Sequence, residues 1–276
     1  MILVKQNIKR YTQGKCIDGI LKHIELCART AYKSEDKITA TSAKEFVDRM
    51  IRSGHLSVLE HGTVYLTVLT DREDIVGFYK NNKYSSVVTN GIMSYITTNY
   101  RVIIENNRQA DLQYLSDNIT YHDKRYTFDI TTNRGVSHEI VRHRGMSFTQ
   151  ESTRYCNYSK NKFGDQVTYI IPAWSNIPEG KYTIYSSNIP WSNSTESAFY
   201  DGLLDNESDY FGLLNIGWKP EQAREILPNA LKTDIVVTGD LNAWNHFFDL
   251  RLKGKTGQPH PNIKQVAQLI YDRIYD

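Results

Sequence analysis

The stretch RYTFDITTNRGVSHEIVRHRGM, residues 125–146, contains a predicted strand followed by a predicted helix, the two kinds of element expected in this fold. Its first part, 125–131, is rich in β-branched and aromatic residues and predicts a strand. The segment 134–146 that follows predicts a helix of about four turns or fewer. Further strands are predicted at 63–69, 93–104 and 233–238, and further helices at 17–31, 195–214, 220–227, 240–252 and 262–274.

The mixture of strands and helices predicts an α/β fold of the α+β kind. We expect one domain, residues 1–276, with a central, mostly antiparallel sheet flanked by helices, because no internal repeat and no clean boundary is seen. One more helix is expected to begin at a capping box of Ser42 and Glu45 and to end at Gly54, since glycine commonly follows a helix.

Composition narrows the class of protein. Lys and Arg number 33 against 31 Asp and Glu, a net charge of +2 that gives no general case for binding nucleic acid. The three cysteines form no CxxC pair, which excludes a disulfide framework and a thiolate zinc site and fits a reducing compartment. The N-terminal apolar run is too short for a signal peptide, and no run approaches the ~18 residues of a membrane span. A cytoplasmic protein is expected.

Several familiar motifs fail on spacing. Gly254-Lys255-Thr256 resembles the end of a phosphate-binding loop, but Asp249 stands where that loop needs glycine. His138 and His143 are five residues apart, which places their rings about 140° apart on a helix, so no metal site is expected.

The dense segment from Arg142 to Arg154 holds three arginines, a histidine and four hydroxyl side chains. On a helix, Arg142 and Arg144 would point about 200° apart and could serve two surfaces, for instance one in their own subunit and one at an interface. In an extended segment, Ser152 and Arg154 would share a side and could bind a phosphate or carbonyl. A solvated basic helix with a polar cap is an equally good interpretation. Arg224 and Arg251 lie in apolar contexts, where either an anionic ligand or an internal salt bridge is expected.

These residues resemble the signature of the flavin-dependent thymidylate synthases: Arg142, His143 and Arg144, then Ser152 and Arg154. The likeness extends to 134–139 and Tyr155. Similar blocks occur in the family's order at 53–68, 222–228 and 238–251. The resemblance implies reductive methylation of dUMP to dTMP, with methylenetetrahydrofolate as the carbon donor and FAD, reduced by NADPH, as the hydride source. It also implies a homotetramer with active sites at subunit interfaces, no nucleic acid polymer and no membrane.

The resemblance also implies roles for individual residues. Arg251 and Ser152 would be catalytic, Arg251 at the uracil ring and Ser152 binding and polarising rather than attacking, since no cysteine nucleophile is needed. FAD would be bound by Ser57, His55, Arg142, His143, Arg144, Gln150, Asp240, Leu241, Asn242 and His246. The substrate would be bound by Glu139, Arg142, Gln150, Glu151, Ser152, Thr153, Arg154, Arg224 and Arg251.

The chain also departs from the family's pattern. Thr149-Gln150 stands where many members have Asn-Glu, so no carboxylate chemistry is expected at position 150. Glu139 would repel a phosphate unless it is paired, and His260 could approach the flavin. The long interval before Arg142 predicts a peripheral insertion at about 70–130. The alternative from another class is a nucleic-acid-binding module that uses the Arg142–Arg154 segment.

Overall fold

The computed structural model describes residues 1–154, 156–159, 165–186 and 189–276. Its strands are β1 Ile2–Val4, β2 Asn7–Tyr11, β3 Thr63–Leu69, β4 Ser86–Asn90, β5 Met93–Asn99, β6 Arg125–Asn133, β7 Ser147–Gln150, β8 Thr168–Ile170, β9 Gly180–Lys181 and β10 Lys232–Asp240. Its α-helices are α1 Cys16–Arg29, α2 Ser42–Arg52, α3 Glu73–Asn81, α4 Tyr100–Glu105, α5 Arg134–Ile140, α6 Ser197–Asn215, α7 Pro220–Ala223, α8 Leu241–Arg251 and α9 Pro261–Tyr275.

The central sheet has the strand order β2-β6-β10-β7, and every pairing in it is antiparallel. Strand β10 pairs along its whole length with β6, so that Asp240 faces Arg125. Strand β7 is short and pairs only with the middle of β10, with Gln150 opposite Ile235. We call the two ends of this sheet the Gln150 end and the Asp240 end.

The two faces of the central sheet differ in polarity. On one face, Phe128 and Val237 pack with Trp244 and Phe248 of α8 and Ile263 of α9 in one apolar core. On the other face, alternate residues of β6 and β10 are polar, as the two-residue period of a strand requires. That polar face lies under α1 and the 3₁₀ helix Leu56–His61, and it contributes to the candidate site.

Two smaller sheets complete the fold. The order β3-β5-β4 forms an antiparallel sheet whose core is shared with α1 and α2. The order β8-β1-β9 contains one parallel pair and packs with α6 around the buried Trp191. The predicted α/β class with antiparallel sheets flanked by helices is confirmed. The segment 70–130 contains α3, β4, β5 and α4, and its last residues lie in β6 of the central sheet.

Three local predictions were wrong. The helix predicted over 134–146 ends at Ile140, because the chain turns there through hydrogen bonds from the Arg142 and His143 N–H groups to the carbonyls three residues earlier. The strand predicted over 93–104 stops at Asn99, whose side chain accepts the Val102 N–H and so caps α4. Ser42 forms no capping box. Its hydroxyl accepts from the Thr39 N–H and donates to Glu25.

No helix among the described residues has the length and apolar character that crossing a membrane requires.

Candidate active site

Two cavities adjoin at the Gln150 end of the central sheet. The smaller cavity has a volume of about 340 Å³ and the larger about 1060 Å³. Both are lined by Ala31, Tyr32 and Gln150, so these three residues form the wall between them. Gln150, which was predicted as a site residue from the sequence, therefore lies at the junction of the two cavities.

The smaller cavity is strongly basic. Three arginines line it, Arg134 from the start of α5, Arg154 from the turn after β7, and Arg224 from the end of α7. Arg224 donates to the Thr153 hydroxyl at 3.2 Å, which fixes its guanidinium at the cavity wall. Burial lowers the pKa of Arg134 from its ordinary value, since burial disfavours the charged form. A ligand carrying negative charge would relieve this cost.

Glu151 also lines the smaller cavity, but its carboxylate is occupied within the protein. It accepts from Lys232 Nζ at 3.1 Å and from the Asp234 N–H at 3.2 Å. Both Lys232 and Lys33 also bind Asp234. Although burial opposes it, these two lysines hold the pKa of Asp234 below its usual value. This paired cluster neutralises the acidic groups beneath the cavity, so the arginines set its charge.

Ser152 lies at the cavity without an activating base. Its backbone N–H donates to the Ala31 carbonyl at 3.0 Å, and its hydroxyl accepts the Arg154 N–H at 3.4 Å. Within the described residues, neither a histidine nor a carboxylate is hydrogen-bonded to this hydroxyl. Activation of a serine nucleophile needs such a partner, so the geometry favours binding over attack. The turn at Thr153 and Arg154 also replaces the extended segment expected there.

The larger cavity combines apolar walls with polar and basic groups. Phe46, Met50, Leu56, Val58 and Phe148 provide apolar surface, and His55 and Ser57 are both exposed at its edge. Lys37 and Arg49 line it as well and form no ion pair within the part of the chain that the structure describes. Apolar walls with a few polar and charged groups are typical of a cavity for a cofactor with a ring and a phosphate.

His61 fastens the wall of the larger cavity to the central sheet. Its Nδ1 is 2.8 Å from the Thr238 hydroxyl, and its Nε2 is 2.9 Å from the Thr149 hydroxyl. Burial, with His23 and Arg125 nearby, lowers the pKa of His61 to about 3, so the ring is neutral at physiological pH. A neutral imidazole has one donor and one acceptor, which suits two hydroxyl partners.

The hydrogen bonds continue from His61 across the polar face of the sheet. Thr238 is 2.7 Å from the Thr127 hydroxyl, which is 3.1 Å from His23 Nε2. We call the series His23, Thr127, Thr238, His61 and Thr149 the buried relay. It connects α1, β6, β10, the 3₁₀ helix and β7, so the position of Gln150 and that of His55 depend on a common network.

A second group of sequence-predicted residues lies at the Asp240 end, away from both cavities. Gln150 faces Ile235, five residues before Asp240, which places the two ends about 17 Å apart along β10. Arg142 and Arg144 are exposed and form no ion pair with any described residue. Asp240 caps α8 by accepting the Ala243 N–H at 2.7 Å. Leu241, Asn242 and His246 follow on the first turns of α8, with Asn242 and His246 exposed.

Arg251 is held by an internal ion pair at the C-terminus of α8. It donates to Glu139 Oε2 at 2.7 Å and to His143 Nε2 at 3.2 Å. Burial, then the neighbouring Arg251 and His246, lowers the pKa of His143 to about 4, so its Nε2 is free to accept. Glu139 is therefore paired within the chain. Arg251 lines neither the smaller nor the larger cavity.

The structure changes the reasoning about Arg142 and Arg144. They lie in the turn after α5 and not on a helix, so the angle of 200° does not apply. The separation into two surfaces arises instead between this turn and the Gln150 end of the sheet. Tyr155, which extended the family signature, lies outside the described residues.

Sequence reasoning missed three residues. Arg134 and Tyr32 line the smaller cavity, and His61 positions its neighbours. Arg134 begins the segment 134–139, to which the family likeness extends, and His61 belongs to the similar block at 53–68. The family resemblance could therefore have identified both residues. Tyr32 gave no signal, because nothing in the sequence predicted that α1 ends against β7.

No group of three or more His, Cys, Asp or Glu side chains within the described ranges could hold a metal ion.

Comparison with known proteins links this arrangement to a family. Residues 121–276 match the family described as thymidylate synthase complementing protein. The flavin-dependent thymidylate synthase of Corynebacterium diphtheriae is 33% identical over 121 residues, 43% of this chain and 45% of the relative. That of Pyrococcus furiosus is 31% identical over 150 residues, 54% of each. The chain thus spans about half the length of the curated relatives it matches.

A solved structure is also similar. The UMP/dUMP methylase PolB from Streptomyces cacaoi, bound with 5-Br dUMP, aligns with a TM-score of 0.45 and 16% identity over 99% of this chain and 92% of that one. The family match covers more than half of the chain, including the whole Arg142–Arg154 segment. On that match, the chain belongs to the thymidylate synthase complementing protein family.

Proposed function

We propose that the chain is a cytoplasmic, flavin-dependent thymidylate synthase. It converts dUMP to dTMP by reductive methylation, with methylenetetrahydrofolate as the carbon donor and NADPH as the source of reducing equivalents. The observation that carries the proposal is the junction of the two cavities at Gln150. One space is basic and of nucleotide size, and the adjoining one is large enough for a dinucleotide cofactor. Three free cysteines suit a reducing compartment.

The smaller cavity would bind dUMP by its phosphate. Arg134, Arg154 and Arg224 offer planar, permanently charged donors that match phosphate oxygens. Ser152 and Thr153 would add hydroxyl contacts, and Gln150 would meet the uracil at the far end. The Gln150 amide nitrogen is already held by Ser137 at 2.8 Å and Thr233 at 3.1 Å, so its carbonyl oxygen is left to face the cavity. The nucleotide would thereby be oriented with its ring toward the larger cavity.

The larger cavity fits FAD by the chemistry of its lining. Lys37 and Arg49 would meet the diphosphate, Ser57 and His55 would donate hydrogen bonds, and Phe148 and Met50 would cover a ring. When bound, FAD would supply the hydride that completes the methyl group. The protein's part is to hold the uracil near that ring and to exclude water from the space between them.

No protein nucleophile is required in this proposal. Ser152 would polarise the nucleotide by hydrogen bonding, since its hydroxyl has no base among the described residues. Arg251 would place positive charge at the uracil and favour its ionised form. Glu139 and His143 are hydrogen-bonded to the Arg251 guanidinium, which would keep it in one orientation for that role.

The Asp240 end would complete the site of a neighbouring subunit. Arg142 and Arg144 are exposed cations, and Asn242 and His246 are exposed beside them. Because these residues cannot reach the cavities of their own chain, we propose a homotetramer in which they contact the FAD of a partner. Arg251 would reach the uracil of a partner in the same way.

An absorption spectrum tests the proposal first. We expect oxidised-flavin bands when the purified protein is mixed with FAD, and a change in those bands on adding dUMP, because the two ligands would adjoin. Turnover with NADPH and methylenetetrahydrofolate should follow. Absence of flavin binding with FAD in excess would refute the proposal and favour polynucleotide binding, which a salt-dependent titration would reveal.

A matched pair of variants locates the flavin. Arg49 lines the larger cavity, whereas Arg52 lies on the same helix outside its lining. Loss of one charge-assisted contact should weaken FAD binding in Arg49→Ala about ten-fold. Arg52→Ala should bind FAD as the unaltered protein does. Equal affinity in both variants would place the flavin elsewhere.

A further inference from the structure

A third cavity, with a volume of about 400 Å³, lies near the Asp240 end of the central sheet. Its walls are the loop 12–16 before α1, the start of β3, the segment 115–119 and the start of β6. It shares no lining residue with the smaller or the larger cavity. We call it the Arg125 cavity. The residues that line it have no role in the proposed reaction.

The Arg125 cavity carries a large excess of positive charge. Four cationic side chains line it, Arg10, Lys15, Lys124 and Arg125, against the single carboxylate of Asp117. That carboxylate accepts the Cys16 N–H at 3.1 Å and contacts the Cys16 thiol at 3.6 Å. It offsets one of the four cations and leaves the lining with a net excess of positive charge.

Arg125 is the least exposed of these four cations, so its charge costs the most free energy to bury. One of its terminal nitrogens donates to the Glu60 carbonyl at 3.1 Å and the Thr63 hydroxyl at 3.4 Å. Among the described residues, no carboxylate lies within ion-pair distance of its guanidinium. Burial lowers the pKa of Arg125 from its ordinary value. A partly buried guanidinium with neutral partners on one side and a cavity on the other is a position that an anion would stabilise.

The backbone around the cavity is fixed. A side chain at Gly19 would collide with the backbone of Gly14, so the loop 12–16 packs directly on α1. Gln13 holds the same loop to β3 through two hydrogen bonds of 2.8 Å with the Thr63 backbone. A site whose walls are held in this way loses little entropy when a ligand binds.

We infer that the Arg125 cavity binds a small phosphorylated metabolite. Phosphate is the expected anion because near pH 7 it carries close to two negative charges and offers three acceptor oxygens. Arg125, Lys124 and Lys15 would meet the phosphate. Tyr65, Tyr126 and Leu115 would contact the rest of the molecule, since the cavity volume far exceeds that of a phosphate ion. This site is additional to the proposed nucleotide site and does not depend on it.

Calorimetric titration tests the inference with inorganic phosphate, ribose 5-phosphate and acetate as probes. The titrations use Arg224→Ala protein, in which the phosphate contacts of the smaller cavity are weakened. We expect saturable binding of both phosphate compounds, tighter for ribose 5-phosphate, and at least about ten-fold weaker binding of acetate. Reversing the charge of an exposed lysine in Lys124→Glu should weaken phosphate binding at least about ten-fold.

Lys80→Glu is the matched control, because Lys80 is an exposed lysine on α3 outside the cavity lining. Lys80→Glu should bind phosphate as tightly as the Arg224→Ala protein into which it is introduced. Lys15→Glu should weaken phosphate binding as Lys124→Glu does. Absence of phosphate binding in the Arg224→Ala protein would overturn the inference. So would binding that Lys124→Glu and Lys15→Glu leave unchanged, or acetate binding as tight as that of phosphate. The flavin spectrum of Lys124→Glu should be normal, which separates this result from failure of the proposed function.

Discussion

The two ends of the central sheet present the same kinds of residue in opposite settings. At the Gln150 end, arginines line a concave space, and the acidic groups beneath them are paired with Lys33 and Lys232. At the Asp240 end, Arg142 and Arg144 are exposed and form no ion pair with any described carboxylate. In the proposed function the first end would receive a ligand, and the second would be covered by a partner subunit. A segment continuous in sequence can therefore lie on two separate surfaces, because β7 connects them.

Removal of Arg224 should have the largest effect on the Gln150 end. Arg224→Ala removes a guanidinium fixed against Thr153 and leaves two arginines for the phosphate. Loss of charge-assisted hydrogen bonds of about 3 kcal/mol predicts a decrease of about 100-fold in kcat/KM for dUMP. Steady-state kinetics with varied dUMP would measure it. Arg273 is an exposed arginine on α9, and Arg273→Ala should leave the kinetics unchanged. Equal losses of kcat/KM in both variants would contradict the assignment of Arg224 to the phosphate.

Mixing subunits should then separate the two ends. Arg144→Ala and Arg224→Ala proteins are each expected to be nearly inactive, and a co-assembled mixture should recover activity several-fold above either one. Recovery is expected because some sites would combine an intact Gln150 end with an intact Asp240 end from different chains. A mixture of Arg134→Ala and Arg224→Ala, altered at the same end, should not recover. Absence of recovery in the first mixture would indicate that each site is built within one chain.

Loss of His61 should destabilise the fold, because His61 joins Thr149 of β7 to Thr238 of β10. His61→Phe leaves the buried Thr149 hydroxyl without its partner and Thr238 with one fewer. Unsatisfied buried hydroxyls predict a loss of about 2–4 kcal/mol in the free energy of unfolding, measured by urea denaturation. His138→Phe, at an exposed position, should change it by less than about 0.5 kcal/mol. A stable His61→Phe protein would show that the buried relay contributes little.

Ser152→Ala should have the smallest effect. A hydroxyl that only binds the nucleotide contributes about one hydrogen bond, so turnover should fall about ten-fold or less. Rapid-quench measurement of dTMP formation would show the retained activity. Complete loss of turnover, with FAD and dUMP still bound normally, would instead identify Ser152 as essential to the chemistry.

Sequence patterns predicted the elements of the fold better than their ends. Strand β10 is buried along nearly its whole length, and its run of β-branched residues identified it. Helix α5 is shorter than its pattern: the chain turns after Ile140, and the ring of His143 then packs against Phe247. Such a tertiary contact leaves no periodic signal. The early end of β5 has a local cause instead, because the side chain of Asn99 caps α4 although the strand propensity continues.

The resemblance named residues of the candidate site and not their arrangement. Some of them, Gln150, Thr153, Arg154 and Arg224, line one cavity. That they share one ligand stays a prediction. The distance between Gln150 and Asp240 depends on the register of β7 against β10, which no single segment encodes. Arg134 was missed although it begins a block that resembles the family, because only the tertiary packing brings it to the same cavity as Arg224.

The buried relay has a directional property. When the Thr127 and Thr238 hydroxyls each donate one of these hydrogen bonds and accept the other, their protons point the same way along the relay, in one of two directions. Reversing them exchanges the proton between the two nitrogens of His61 and changes the role of His23 from donor to acceptor. The two histidine tautomers, more than 35 positions apart in the sequence, are therefore set together. Because the relay is closed to solvent, its hydroxyl protons should exchange slowly enough to be observed directly by magnetic resonance.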